Sequence, residues 1–157
     1  MSTKLSISRS VEPRTWALQE GYRLLAWLQM GRAGATSGEL RAGEETWPIS
    51  SRSRRPHEVV AGDPADPIIA FDLDQATVRG VAEPIPWEFG GRMSRSRATL
   101  GAGDTAIVLE TFGWRPQGDA EITGDWEHRD AVVLACFFAV IARRRRSTFV
   151  GGSLPGV

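Results

Sequence analysis

The residues able to do chemistry are few and sit in short stretches. Asp72 and Asp74 stand two apart in "PIIAFDLDQATV". On an extended strand, Ile69, Phe71 and Leu73 point one way and the two aspartates point the other, so the stretch also reads as an amphipathic strand with exposed carboxylates. The only histidines are His57 and His128, and the only cysteine is Cys136, inside an apolar run. No set with zinc-ligand spacing exists, and no disulfide can form within the chain. There is no Gly-x-Ser-x-Gly elbow, and neither "GGRMSRSR" nor "GAGD" matches a phosphate-binding or dinucleotide fingerprint. The expectation is no metal and no cofactor.

The arginines offer more. Three clusters stand out: Arg52, Arg54 and Arg55; Arg92, Arg95 and Arg97; and Arg143, Arg144, Arg145 and Arg146. Guanidinium groups fork onto phosphate oxygens, so these are the candidate contacts for an anion or a lipid headgroup. They also read as solvated loops, and the last four as cations complementing a helix dipole. Lys4 is the only lysine, a bias that GC-rich coding accounts for equally well.

The aspartate stretch resembles the first motif of the haloacid-dehalogenase-type phosphatases, an apolar strand ending in Asp-x-Asp. That resemblance implies Asp72 as nucleophile, Asp74 as general acid and Mg²⁺ held by carboxylate oxygens. The sequence departs from the family where it matters. Gln75 and Ala76 replace the Gly-Thr pair, and no lysine follows Lys4. The 83 residues after Asp74 leave little room for a doubly wound sheet. A phosphatase is therefore the minor alternative, and the main expectation is a protein that is not an enzyme.

These groups need a scaffold. A chain of 157 residues suits one domain. With 19 basic and 19 acidic residues the net charge is zero, which gives no global pull toward nucleic acid. Strand-like segments alternate with turn signals along most of the chain: "TWALQEG", "YRLLAWLQM", "GELRAGEETWPIS" turning at Ala42-Gly43, "HEVVAG", "PIIAFDLD", "QATVRGVA", "RSRATL" and "TAIVLETFGW" joined by "GAGD", and "AEITGDW". In the second, Tyr22, Leu24, Ala26, Leu28 and Met30 fall on one face. The two prolines of "EPIPWEF" suit an edge or a connection. Strands at such spacing predict a sandwich or barrel. The six tryptophans suit its core and rim.

The last element is different. From Ala131 to Ala142 there is no charged residue, glycine or proline. Asp125 can cap a helix there, with Glu127 in the first turn. Twelve helical residues rise about 18 Å, against a hydrocarbon core of roughly 30 Å. Charged residues flank the run on both sides. A helix apolar all round must be enclosed, and a sheet closed around it removes strand edges at the same time. The N-terminal stretch lacks the apolar core of a signal peptide.

A strand-rich chain ending in "GDWEHRDAVVLACFFAVIARR" resembles the tubby C-terminal-like group, which includes the LURP-one-related proteins and the phospholipid scramblases. Weaker support comes from the strands "TWALQEG" and "GEETWPI" and the hairpin "RATLGAGDTAIVLE". The resemblance implies a β-barrel with a hydrophobic helix through it and attachment to lipid surfaces. The expectation is a mainly β protein: a closed or nearly closed antiparallel barrel with the C-terminal helix, about 126–146, packed through or against it. Residues 1–147 form the domain and 148–157 a flexible tail. The expected role is non-enzymatic binding or scaffolding in the cytoplasm, at an anionic membrane surface or a protein partner, with no nucleic acid. The alternative is a tail-anchored or peripheral membrane protein that inserts 131–142.

Overall fold

The computed structural model describes residues 2–32, 34–52, 55, 57–92, 95–113 and 117–153, with positions 34, 35, 92 and 144–153 described by backbone alone. Twelve strands run β1 (Ser2–Arg9), β2 (Thr15–Glu20), β3 (Arg23–Gly31), β4 (Gly34–Ala42), β5 (Glu45–Ser51), β6 (Val59–Asp63), β7 (Asp66–Phe71), β8 (Gln75–Val78), β9 (Ile85–Arg92), β10 (Arg95–Ala102), β11 (Thr105–Phe112) and β12 (Gln117–Thr123), and α1 (Arg129–Ser153) follows. Every strand pairs antiparallel with its sequence neighbours, and β1 pairs with both β2 and β12, closing the barrel. No edge remains to be protected.

Alternation decides which side chains fill the lumen. Leu5 and Ile7 on β1, Leu28 and Met30 on β3, Ala98 and Leu100 on β10, Ile107 and Leu109 on β11, and Ala120 and Ile122 on β12 are all at most 3 % exposed. Between them stand outward polar residues such as Lys4, Thr99 and Glu121. This is the period-two pattern of a sheet buried on one face. All twelve residues from Ala131 to Ala142 are at most 5 % exposed. Successive residues turn 100° around a helix, so a helix buried at every position has no free face. Its neighbours β3, β4, β5, β7, β10 and β11 are spread around the ring. The helix therefore occupies the lumen, which a barrel of this strand number is wide enough to hold. Phe137 packs against Trp16 of β2 with ring centroids 6.0 Å apart, a normal aromatic separation.

Several local expectations are revised. The strand β1 lies in a segment read only for its lack of a leader, and it is the stave that seals the barrel. The expected face Tyr22–Met30 breaks at its start. Leu24 pairs with Gln19 and Ala26 with Leu18, so Leu25 is the extra residue of a bulge. The bulge turns Leu24 outward, 43 % exposed, while Tyr22 is fully exposed in the turn. β7 stops at Phe71. Asp72, Leu73 and Asp74 form the tight connection to β8 rather than a continuing strand, and Leu73 is 56 % exposed. Of the two prolines expected at an edge or a connection, Pro84 lies in the β8–β9 connection, while Pro86 is in no edge and pairs with Gln75 on β8 within the ring.

The helix starts later than its acidic lead-in suggested. His128 takes a left-handed backbone conformation, φ 54°, and its carbonyl accepts the first helical bond, from Val132 N at 3.0 Å. Asp130, not Glu127, is the acidic residue of the first turn. The segment 124–128 is used instead to turn the chain into the lumen, with Trp126 Nε1 donating to the Thr123 carbonyl at 3.0 Å. The helical backbone continues past the expected end at 146. Residues 154–157 lie outside the described residues.

Candidate anion-binding mouth of the barrel

In an antiparallel meander, alternate connections gather at opposite ends. The connections β1–β2, β3–β4, β5–β6, β7–β8, β9–β10 and β11–β12 lie at one end, and the rest lie at the other with the helix entrance. The helix runs from the second end to the first. Its start is marked by His128 edge-on to Trp47 near the beginning of β5, with centroids 5.2 Å apart. Its exit is marked by Arg143, whose guanidinium lies 5.0 Å from the Phe89 ring near the end of β9. The exit end is the mouth.

Charge divides along this axis. At the mouth, the loops and adjoining strand ends carry Arg9, Arg14, Arg32, Arg52, Arg55, Arg95 and Arg143, against Glu12, Glu58, Asp72, Asp74 and the Glu110 that pairs with Arg95. Arg92 ends β9 at the same level, and Arg144, Arg145 and Arg146 continue the helix outward. At the helix entrance, among the described residues, ten carboxylates (Glu20, Glu44, Glu45, Asp63, Asp66, Glu83, Asp104, Asp125, Glu127 and Asp130) meet three arginines, Arg23, Arg79 and Arg129. A chain of zero net charge is thus strongly polar from end to end, and such a distribution orients a molecule in an external field.

The described arginines of the three clusters lie at this one end because they stand at or beyond the close of an odd-numbered strand, at the opening of the even-numbered strand after it, or on the outgoing part of the helix. Their partners differ. Glu58 sits between two arginines of the first cluster, with Arg52 Nε at 3.2 Å and Arg55 Nη1 at 3.2 Å. Backbone bonds from Arg52 N to the Glu58 carbonyl, 3.1 Å, and from Glu58 N to the Arg55 carbonyl, 2.9 Å, close that loop. Arg95 and Arg97 share Glu110 of β11, at 3.4 and 3.8 Å. Arg97 is one step down the outer wall and belongs to the mouth only through that shared carboxylate. Arg54 lies outside the described residues, as do the side chains of Arg92, Arg144, Arg145 and Arg146. The sequence reading missed Arg9, Arg14 and Arg32. Arg9 stacks on Trp16, 5.7 Å from the ring. Arg14 takes a left-handed backbone conformation, φ 55°, and its Nε donates to the Met30 carbonyl at 3.3 Å. Their one sequence signal was a position between odd and even strands, legible only once β1 is recognised.

Arg143 stands apart. It is half-buried where the helix leaves the lumen, and loss of solvent pulls its pKa down from the ordinary arginine value. Among the described residues no carboxylate lies within ion-pair distance of it. A cation so placed favours an anionic partner, because the pair replaces the hydration the side chain has lost.

The carboxylates of the phosphatase-like stretch are also at the mouth. Asp72 Oδ1 accepts from the Leu73 N–H at 2.7 Å and lies 3.9 Å from His57 Nε2. His57, Glu58 and Asp72 offer ligand atoms within 4.8 Å of one another, a grouping that needed β6 and β7 to pair before it could be seen. Glu58 already serves two arginines there. The antiparallel barrel is not the doubly wound sheet that the phosphatase resemblance implies, and the only lysine is on β1.

Elsewhere, a recess of about 390 Å³ on the outer wall of β1, β11 and β12 is lined by Lys4 against Glu110, Asp119 and Glu121. A groove of about 410 Å³ at the rim includes Arg52, Glu58, Asp72 and Gln75. Cys136 is fully buried in the lumen, and burial pushes its thiol pKa well up. That is an inert packing cysteine. Among the described residues no helix is long and apolar enough to cross a membrane. No protein-family model matches the chain, and neither a curated protein nor a solved structure matches it.

Proposed function

We propose that the chain is a non-enzymatic binding domain whose arginine-rich mouth attaches to the anionic lipid surface of a membrane, peripherally and from the cytoplasmic side. The single observation that carries this is the gathering of separate arginine clusters around the helix exit, with the half-buried Arg143 lacking a carboxylate partner among the described residues. In keeping with this, a closed antiparallel barrel around a hydrophobic helix is the layout of the tubby C-terminal-like group, and we place the chain nearest that group. The alternative of inserting 131–142 requires pulling twelve buried residues out of the lumen, which exposes both the helix and the barrel interior.

The test is vesicle co-sedimentation with phosphatidylserine-containing and pure phosphatidylcholine vesicles across a salt series. Each arginine near an anionic surface contributes about 1 kcal/mol. Replacing Arg52, Arg55, Arg95 and Arg143 together by glutamine is therefore expected to weaken binding by about 4 kcal/mol at low salt, with a smaller effect at high salt. Equal binding to neutral and anionic vesicles, or no loss in the variant, rejects the proposal.

A further inference from the structure

The strand order fixes where each loop stands around the mouth. The β1–β2 and β7–β8 connections are six strands apart in a closed ring of twelve, so they face each other across the helix exit. Each carries an exposed aliphatic side chain. Val11 is fully exposed and Leu73 is 56 % exposed. A single exposed aliphatic residue is ordinary. These two are distinguished by their position, projecting from the basic end on opposite sides of its centre; Phe112 is also exposed at that end, and Tyr22, Leu24 and Val81 are exposed at the other, acidic end, where charge opposes contact with an anionic surface.

We propose that the domain seats mouth-first on an anionic bilayer with its barrel axis upright, Val11 and Leu73 entering the headgroup region from opposite sides. The inference rests on the membrane-surface reading above and adds an orientation to it. Charge sets which end faces down. The arginines are drawn to the surface, and the acidic helix-entrance end is repelled from it. The two apolar tips set the tilt, because a barrel held at diametrically opposite points of its rim cannot lie on its side. Residues that combine an apolar tip with flanking cations are suited to this interface. The loops are not equivalent. Val11 stands between Arg9 and Arg14, with only Glu12 beside it, whereas Leu73 is flanked by Asp72 and Asp74. Asp72 is partly occupied by its own loop, through the 2.7 Å bond from Leu73 N, and by His57 at 3.9 Å. Val11 is therefore the deeper of the two.

The full chain suits site-specific labelling, since its one cysteine, Cys136, is fully buried. A polarity-sensitive fluorophore is attached to Val11→Cys, Leu73→Cys or, in a far-end loop, Glu44→Cys, and each protein is mixed with phosphatidylserine–phosphatidylcholine vesicles. The expected result is a blue shift at 11 and 73, larger at 11, and none at 44. In parallel, unlabelled Val11→Ser/Leu73→Ser should lose roughly tenfold in vesicle affinity at fixed salt. Vesicle binding with no shift at either tip, with a shift at only one, or with an equal shift at 44 overturns the upright seat and leaves the membrane-surface reading standing. Failure to bind anionic vesicles at all overturns both.

Discussion

Replacing Phe137 by alanine tests the central architectural claim, that the apolar helix is enclosed by the barrel rather than held outside it. Phe137 is fully buried and packs on Trp16 at 6.0 Å. Truncating a buried phenylalanine to alanine costs about 3–5 kcal/mol, through lost transfer energy and the cavity left behind. Alanine is the better helix former and returns roughly 0.5 kcal/mol. The lumen is walled by a closed sheet and cannot collapse freely, which argues for the upper part of the range. Against a typical total stability of 5–15 kcal/mol, the variant should remain folded but unfold at clearly lower denaturant. Equilibrium urea unfolding followed by tryptophan fluorescence measures this, with the m-value checked for constancy. Phe137→Leu, which conserves most of the volume, should cost less than about 1.5 kcal/mol. Tyr22→Ala, in a fully exposed turn, should change stability by no more than about 0.5 kcal/mol. If Phe137→Ala costs less than about 1 kcal/mol, the helix does not fill the lumen and the reasoning about it fails.

Other outcomes follow from the same geometry. Ending the chain after Arg129 removes the lumen's contents, so the remaining strands should aggregate or unfold; a soluble, cooperatively folding 1–129 fragment would show that the barrel does not need its core helix. Gly91 has φ +118°, and a Cβ there would fall on the Arg95 carbonyl and within 2.6 Å of Ser96 Cα, so Gly91→Ala should cost about 1–3 kcal/mol. At Gly103, φ +63° with open space around the position, Gly103→Asn should be nearly neutral in the same urea-unfolding assay. Cys136 stays protonated in the folded state while the unfolded thiol ionises above about pH 8.5. The unfolded state then binds fewer protons, so stability falls as pH rises, by about 1.4 kcal/mol per pH unit from this one group. Cys136→Ala should remove that part of the slope between about pH 8.5 and 10, where the unfolded thiol ionises, and an unchanged slope would mean the thiol is not enclosed.

Much of the fold was readable because the two periodicities are clean. The hairpin at "GAGD" is where turn chemistry placed it, the one read at Ala42-Gly43 turns one residue later at Gly43-Glu44 because Ala42 pairs with Glu45, and the unbroken apolar run from Ala131 to Ala142 required enclosure from its own composition. The misreadings share a cause: local pattern cannot see pairing. β1 reads as "KLSIS", whose serines dilute the alternation that its partners β2 and β12 make plain. The bulge at Leu25 depends on the register against Leu18 and Gln19. "FDLD" continues the alternation of β7, yet the chain turns there because β8 must come back beside it. The helix cap could not be read from Asp125 because the turn into the lumen uses 124–128.

For the candidate site, the ingredients were legible in the order of residues alone. It supplied arginine clusters separated by strands, a helix that must be covered on every face, and no set of residues with metal-ligand or triad spacing. That the described arginines share one end of the barrel came from the folding of the whole chain. In a meander each connection's end is fixed by the parity of the strands before it, a count over the whole chain that one unrecognised strand would reverse. Closure of the ring then fixed which loops stand opposite each other, and passage of the helix through it placed Arg143 at the centre. A neutral composition hid the result, because net charge sums over the ends of a molecule and only folding separates them.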